Sequence, residues 1–210
     1  MQLEHVLPAD IEKTSFSIIR QELENQGKHL SEDLAPVVCR VIHTTADFEY
    51  FDTMIFSKDV LSHAEEAIKK GAHIITDTTM ALSGINKRTL AKYGGEVHCF
   101  IADPDVAEKA KERQVTRASV SMEKAMNMGI PLIYAIGNAP TALVTLYDAI
   151  QKGYRPELII GVPVGFVNVV ASKELIMSTD VPHIINRGRK GGSNVAAAIC
   201  NAILYRMGRD

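Results

Sequence analysis

The sequence has no tryptophan and only three cysteines, Cys39, Cys99 and Cys200, among its 210 residues. An odd number of widely spaced thiols, each among apolar neighbours, favours reduced and buried side chains over disulfides or a cysteine-based metal site. We therefore expect a cytoplasmic protein whose cysteines contribute to packing and not to nucleophilic chemistry.

Neither sign of charge dominates, because 23 Lys and Arg residues stand against 25 Asp and Glu, a formal net charge of -2 at pH 7. Long basic runs are absent, which excludes the charge pattern typical of nucleic-acid-binding proteins. No apolar stretch is long enough to cross a membrane, and residues 1–10 lack the basic start and apolar core of a signal peptide. We expect neither a nucleic-acid nor a membrane partner.

What the sequence does contain is an ordinary globular composition, with 46% hydrophobic and 23% charged residues. Its length suits one domain spanning residues 1–210, and no repeat or linker divides it. Short apolar runs alternate with amphipathic stretches, which is typical of a parallel sheet covered by helices. We predict an α/β fold, a single-domain doubly wound, mainly parallel sheet with helices on both faces.

Five strands are predicted from short runs of apolar and β-branched residues, at 37–42, 72–76, 97–101, 131–136 and 158–162. Helices are predicted near residues 10–25, 59–70, 105–113, 120–128, 140–151, 169–177 and 192–207. Ligands of such sheets bind beyond the carboxyl ends of the strands. The loops that follow the strands are therefore the candidates for chemistry.

His43 directly follows the apolar run 37–42, at a predicted strand end. Histidine exchanges protons near neutral pH and suits general acid catalysis, although a structural histidine bonded to a loop carbonyl fits the same position. Asp47, four residues later, could orient the ring or cap a following turn.

Two further strand ends carry polar or glycine-rich loops. Residues 77–80 (DTTM) include Thr78 and could bind a ligand or cap the next helix. Gly137 and Asn138 form a strand-to-helix elbow with Pro140, and a similar run surrounds Gly165. Such glycines permit close approach of a flat ligand or tight packing. None of these loops matches a dinucleotide or P-loop fingerprint.

A basic turn, residues 187–193 (RGRKGGS), leads into the last predicted helix. Arg189 and Lys190 beside free N–H groups at a helix start can bind an anion, and a solvated basic turn is the alternative. Arg117 adds a positive charge in an otherwise neutral segment, where a lone arginine is often a surface residue.

Taken together, these segments resemble the precorrin-8X methylmutase family, which includes the cobalt-precorrin-8 methylmutases. The resemblance covers nearly the whole chain and rests on residues 11–16 (IEKTSF), 40–47 (RVIHTTAD), 77–80 (DTTM), 116–117 (TR), 137–143 (GNAPTAL), 163–167 (PVGFV) and 188–193 (GRKGGS). The chain departs from the family pattern at Ala118, Asn168 and Ala171, which concerns fine substrate contacts and not the reaction class.

The resemblance implies an isomerase of cobalamin biosynthesis that moves a methyl group from C11 to C12 of precorrin-8X or cobalt-precorrin-8. It implies a homodimer with no cofactor or metal of its own, and His43 as the proton donor. The candidate substrate contacts are Ser15, Thr78, Arg117, Gly137, Asn138, Gly165, Arg189 and Lys190.

Two other functions fit parts of the pattern. A corrinoid or tetrapyrrole carrier would bind the same ligand without changing it, with His43 as an axial ligand to cobalt. A nucleotide-binding α/β enzyme would need a phosphate fingerprint that the sequence lacks. A flat, carboxylate-rich macrocycle, the ligand of the mutase and of the carrier alike, requires an open cleft with basic groups around its rim. The resemblance favours the mutase.

Overall fold

The protein forms one six-stranded sheet between two layers of helices in a computed structural model that describes residues 7, 8 and 10–208. The strands, in chain order, are β1 (Met54–Phe56), β2 (His73–Thr76), β3 (Val97–His98), β4 (Leu132–Ile136), β5 (Leu158–Gly161) and β6 (His183–Asn186). The helices are α1 (Ile11–Asn25), α2 (Ala35–Thr45), α3 (Tyr50–Thr53), α4 (Val60–Lys69), α5 (Thr79–Gly84), α6 (Lys87–Ala91), α7 (Pro104–Arg113), α8 (Arg117–Met126), α9 (Pro140–Gln151), α10 (Val169–Met177) and α11 (Ser193–Arg206).

The strand order across the sheet is β1-β6-β5-β4-β2-β3, and every neighbouring pair is parallel except β1 with β6. The chain passes from β2 outward to β3, then returns to the other side of β2 to form β4, β5 and β6. The crossovers thus diverge between β2 and β4. This arrangement confirms the doubly wound, mainly parallel α/β fold.

Side chains of the central strands alternate between two cores, one on each face of the sheet. Ile133 and Ala135 of β4 pack with α1, α2, α4 and α11. Leu132, Tyr134 and Ile136 point to the opposite face, where they pack with α8, α9 and α10. Successive side chains of a strand point to opposite faces of the sheet, and both faces are buried here. Strand β4 is therefore apolar at every position.

The predicted strand at residues 37–42 is wrong, because this run lies within helix α2. Pro36 in the first turn fits a helix start, and Val37, Val41 and Ile42 are buried. The helix packs closely against α11. The sequence of a short apolar run that is buried on most sides does not distinguish a strand from a helix. His43 therefore lies in the last turn of a helix and not at a strand end.

The other predicted elements match the structure more closely. The strands predicted at 72–76, 131–136 and 158–162 correspond to β2, β4 and β5. The strand predicted at 97–101 is shorter in the structure, where β3 covers only Val97–His98. Strands β1 and β6 and the short helices α3, α5 and α6 were not predicted. The seven predicted helices correspond to α1, α4 and α7 to α11, with α8 beginning three residues earlier than the predicted 120. None of the helices in the described part of the chain is long and apolar enough to span a membrane.

Candidate active site

The carboxyl ends of β2 and β4, where the crossovers diverge, border a cleft of about 510 Å³. This is the position at which open α/β sheets bind ligands, and the volume lies within the usual range of small-molecule sites. The cleft is lined by Asp77, Thr78, Thr79, Ile101, Thr116, Arg117, Ala118, Asn138, Ala139, Pro140 and Thr141.

Asp77 is a buried carboxylate that lines the cleft. Its carboxylate accepts the backbone N–H groups of Gly137 at 2.9 Å, Asn138 at 2.8 Å and Ala139 at 2.6 Å. Burial raises the pKa of Asp77, and the three N–H donors oppose that rise. The carboxylate thus fastens the end of β2 to the elbow between β4 and α9, and it does not cap the helix that follows it.

Thr78 connects the same strand end to the start of α11. Its hydroxyl caps α5 by accepting the N–H of Ala81 at 3.1 Å and forms a 2.7 Å bond with the hydroxyl of Ser193. Gly137 permits this approach, because a Cβ atom there would lie 2.6 Å from the Cα of Ser193. Thr78, Gly137 and Asn138 are therefore gathered at one place, as the sequence predicted from their strand-end positions.

Arg117 lies at the rim of the cleft, at the first residue of α8. Thr116 precedes it, caps the helix by accepting the N–H of Ser119 at 3.2 Å, and bonds to Thr141 of α9 at 2.7 Å. The exposed guanidinium and the N-terminus of α8 both place positive charge at this rim. The arrangement suits a ligand with carboxylates at its edge.

A second basic region is formed by the loops after β5 and β6. Gly165, with a φ of +148°, donates its N–H to the carbonyl of Arg189 at 3.2 Å. The Arg189 guanidinium lies 5.5 Å from the centre of the Phe166 ring. Phe166 and Val167 are 83% and 78% exposed, so this region combines apolar surface with a positive charge.

Lys190 belongs to the same loop, but its ammonium group is already paired. It lies 2.6 Å from a carboxylate oxygen of Asp47 and 2.7 Å from one of Glu49. These carboxylates raise the pKa of Lys190, and the bond from Lys190 lowers the pKa of Asp47. Asp47 also caps the turn before α3 by accepting the N–H of Glu49 at 3.0 Å.

Lys173 holds this basic loop in place by hydrogen bonds to its backbone. The side chain comes from α10, is fully buried, and donates to the carbonyls of Gly188 at 2.8 Å and Lys190 at 2.9 Å. Asn186 also donates to the carbonyl of Lys190 at 3.0 Å. Burial lowers the pKa of Lys173 to about 8. The sequence gives little sign of this role, since a lysine on a helix normally faces solvent.

His43 and Ser15 form a third group, on α2 and α1. The exposed ring of His43 meets the ring of Phe16 edge to face, with centroids 5.9 Å apart. Ser15 donates its hydroxyl to the carbonyl of Ile11 at 2.8 Å. Because Asp47 lies two residues after the end of α2 and pairs with Lys190 in the loop after β6, this helix end lies at the carboxyl edge of the sheet.

The predicted site residues thus fall into three neighbouring sets at one edge of the sheet. Thr78, Arg117 and Asn138 line the cleft, and Gly137 supports it; the loops after β5 and β6 hold Gly165, Arg189 and Lys190; His43 and Ser15 lie on α1 and α2. Asp77 and Ser193 belong to the motifs but are not among the predicted site residues, although Asp77 directly follows β2 and Ser193 begins α11.

The chain is similar to proteins of one family throughout its length. The sequence model of that family, described as precorrin-8X methylmutase, matches residues 10–206. The chain is 45% identical over 200 residues to a cobalt-precorrin-8 methylmutase of Priestia megaterium, covering 94% of this chain and 88% of that protein. It is 43% identical over 204 residues to a cobalt-precorrin-8 methylmutase of Salmonella typhimurium, covering 95% and 96%.

A solved structure shows the same fold. The precorrin-8X methylmutase from Thermus thermophilus superposes with a TM-score of 0.84 and is 40% identical, covering 93% of this chain and 96% of that one. Together with the α/β sheet and the cleft at its point of divergence, these similarities show that the chain belongs to the precorrin-8X methylmutase family.

Proposed function

We propose that this chain is an isomerase that moves a methyl group from C11 to C12 of cobalt-precorrin-8 or its cobalt-free counterpart, precorrin-8X. The products are cobyrinate and hydrogenobyrinate, in cobalamin biosynthesis. The observation that carries this proposal is the open cleft at the divergence of β2 and β4, with Arg117 at its rim, in a chain of this family.

The ligand chemistry agrees with that cleft. The macrocycle is flat, conjugated and rich in carboxylates, so it needs an open apolar surface with positive charge at its margin. Arg117 and Arg189 supply exposed guanidinium groups, and Phe166 supplies an exposed aromatic face. Ser15, Thr78, Asn138 and the backbone at Gly137 and Gly165 complete the proposed contacts, and Lys190 contributes chiefly by holding its loop.

In this mechanism His43 is the acid. Protonation of the conjugated system draws electron density from the carbon skeleton, which lowers the barrier to migration of the methyl group within the ring. The exposed imidazole is free to reach a bound macrocycle, and Phe16 restrains the plane of its ring. The reaction is an isomerisation, so the proton is returned and no electron carrier is consumed.

The purified protein, incubated with each of the two substrates, tests the reaction. An isomer of equal mass and a change in visible absorbance are expected, because migration alters which ring carbon is tetrahedral and so the conjugation. Stoichiometric binding without conversion would identify a carrier instead. Comparison of the rates on both substrates decides whether cobalt is preferred.

Replacement His43→Asn tests the proton donor. The variant should bind substrate normally and lose about 10²–10⁴ in rate, the usual contribution of a general acid. The matched control is His63→Asn, another exposed histidine, on α4, which should react at the parent rate. A fully active His43→Asn variant would remove the acid role, whereas weakened binding with an altered cobalt spectrum would favour an axial ligand.

We further propose a cytoplasmic homodimer. Cys39, Cys99 and Cys200 are free thiols, which fits a reducing compartment. Val164, Val167 and Val170 are exposed apolar side chains after β5, of the kind found at interfaces between subunits. Sedimentation should give about twice the chain mass of 23.0 kDa, and Val167→Asp should shift the equilibrium towards the monomer. A monomeric parent protein would contradict this assembly.

A further inference from the structure

A cluster of two histidines and a glutamate lies at the edge of the sheet, outside the cleft. His73 begins β2, His98 ends β3, and Glu96 immediately precedes β3. Nδ1 of His73 is 2.9 Å from Nε2 of His98, and Oε2 of Glu96 is 3.7 Å from the same Nε2. One ligand atom from each residue lies within 4.8 Å of the other two.

The sheet itself holds the three residues together. Strands β2 and β3 are parallel, with Ile75 opposite His98, so His73 and His98 are diagonal neighbours on one face. The N–H of Ile74 donates to the carbonyl of Glu96 at 2.8 Å, which fixes the start of the edge strand. Two paired strands therefore hold His73 and His98, and Glu96 stands directly before one of them.

The spacing is close to that of a tetrahedral zinc site. Zinc–nitrogen and zinc–oxygen bonds of about 2.0–2.2 Å place neighbouring ligand atoms about 3.3–3.5 Å apart. The observed separations of 2.9 Å and 3.7 Å lie on either side of this value. In the metal-free arrangement one imidazole donates its proton to the other across nearly parallel rings, 6° apart.

Exchange of that hydrogen bond for a metal needs only local movement. The donor ring must take its other tautomer, with the proton on the far nitrogen, so that both facing nitrogens offer lone pairs. The two nitrogens must separate by about 0.4–0.6 Å, which small rotations of the rings provide. Glu96 is 71% exposed and is free to turn towards the same point.

We propose that His73, Glu96 and His98 bind a divalent cation of the zinc class, with water in the remaining position. Two imidazole ligands select zinc and its late transition-metal neighbours over magnesium or calcium, which prefer oxygen. The metal would join the two-residue edge strand β3 to β2. The chain continues from β3 to Ile101 at the cleft, so the site would also steady one wall of it.

Isothermal titration calorimetry of untagged, EDTA-treated protein with ZnCl₂ tests the proposal. We expect one equivalent to bind to the parent protein. His98→Ala should weaken this binding by more than about 10–100-fold, the loss that follows removal of an outer-shell partner alone. His63→Ala removes an exposed histidine outside the cluster and should bind like the parent. Addition of CoCl₂ should give the visible absorption of tetrahedral cobalt.

A second variant, Glu96→Gln, distinguishes the loss of a zinc ligand from misfolding of His98→Ala. Glu96→Gln changes an exposed side chain, keeps its shape, and should weaken zinc binding while leaving the circular dichroism unchanged. Zinc should raise the Tm of the parent and of His63→Ala more than that of His98→Ala or Glu96→Gln. No zinc binding by the parent, or parent-like affinity in His98→Ala and Glu96→Gln, would overturn the site and leave a histidine pair that shares a proton. Methylmutase turnover is not part of this test, so either proposal can fail alone.

Discussion

Replacement of Lys173 by methionine probes the support of the basic loop. The ammonium group is fully buried and donates to the carbonyls of Gly188 at 2.8 Å and Lys190 at 2.9 Å. Methionine has a similar length but no donor. The carbonyl of Lys190 keeps the amide of Asn186 at 3.0 Å, whereas that of Gly188 loses the lysine donor.

Two effects of opposite sign determine the stability of Lys173→Met at neutral pH. A buried carbonyl without its donor costs about 1–3 kcal/mol. Against this, burial lowers the pKa of Lys173 from 10.5 to about 8, so holding the charged form in the folded chain costs on the order of 3 kcal/mol. The substitution introduces the first cost and removes the second. We expect the variant to lie within about 2 kcal/mol of the parent near pH 7.

The pH dependence separates these two effects. Below pH 8 the lysine is protonated in both states, and the free-energy difference between parent and variant is flat. Between pH 8 and pH 10.5 the unfolded chain holds a proton that the folded chain has released, so the stability of the parent rises with pH. The variant lacks this group. The free energy of unfolding of the parent therefore increases relative to that of the variant, by on the order of 3 kcal/mol across the full interval.

Urea unfolding of both proteins at several values between about pH 7 and pH 10 measures this change. The control is Lys152→Met, which alters the same charge at an exposed position after α9 and should give a flat difference. A flat difference for Lys173→Met as well would refute the reasoning, since it would mean that the ammonium group is not desolvated in the folded protein.

Three further substitutions test the site. Arg189→Ala should weaken substrate binding by about 1.5–3 kcal/mol, the value of a hydrogen bond to a charged group, and an unchanged Kd would remove Arg189 from the site. Asp77→Asn leaves an amide N–H₂ facing one of three backbone donors, so we expect a loss of about 2–4 kcal/mol in the free energy of unfolding; parent-like stability in urea would contradict this role. Gly191→Ala places a Cβ atom 2.0 Å from the carbonyl oxygen of Val162 at a φ of +155°, and should cost at least about 3 kcal/mol in the same assay; a smaller loss would mean that the loop can yield.

The central strands were predictable because β4 and β5 are buried on both faces and consist of uninterrupted apolar residues. Strand β6 escaped prediction because His183 and Asn186 flank its two isoleucines. In the fold these polar ends find partners, the carbonyl of Val181 for the histidine at 3.0 Å and the hydroxyl of Thr53 for the asparagine at 2.7 Å. Such partners depend on the tertiary structure and leave no local pattern.

The same distinction applies to the site. Thr78, Gly137 and Asn138 could be selected from the sequence because parallel strands share one carboxyl edge. The pairing of Lys190 with Asp47 joins residues 143 positions apart, so no spacing in the sequence indicates it. For His43 the proposed role as proton donor comes from the resemblance alone, and the strand predicted before it was wrong, because helix α2 is as apolar as a buried strand.

The charged groups at this edge of the sheet differ in whether they already have partners in the fold. Asp77 is satisfied by backbone donors, and Lys190 and Arg187 are paired with Asp47, Glu49 and Glu174. Within residues 10–208, Arg117 and Arg189 have no carboxylate within 4.0 Å, and Arg189 instead lies over an aromatic ring. Pairing a carboxylate-rich ligand with these two guanidinium groups therefore breaks no existing ion pair, whereas engaging Lys190 would require release of Asp47 and Glu49. The fold thus separates cations that hold its loops from cations that are available for binding.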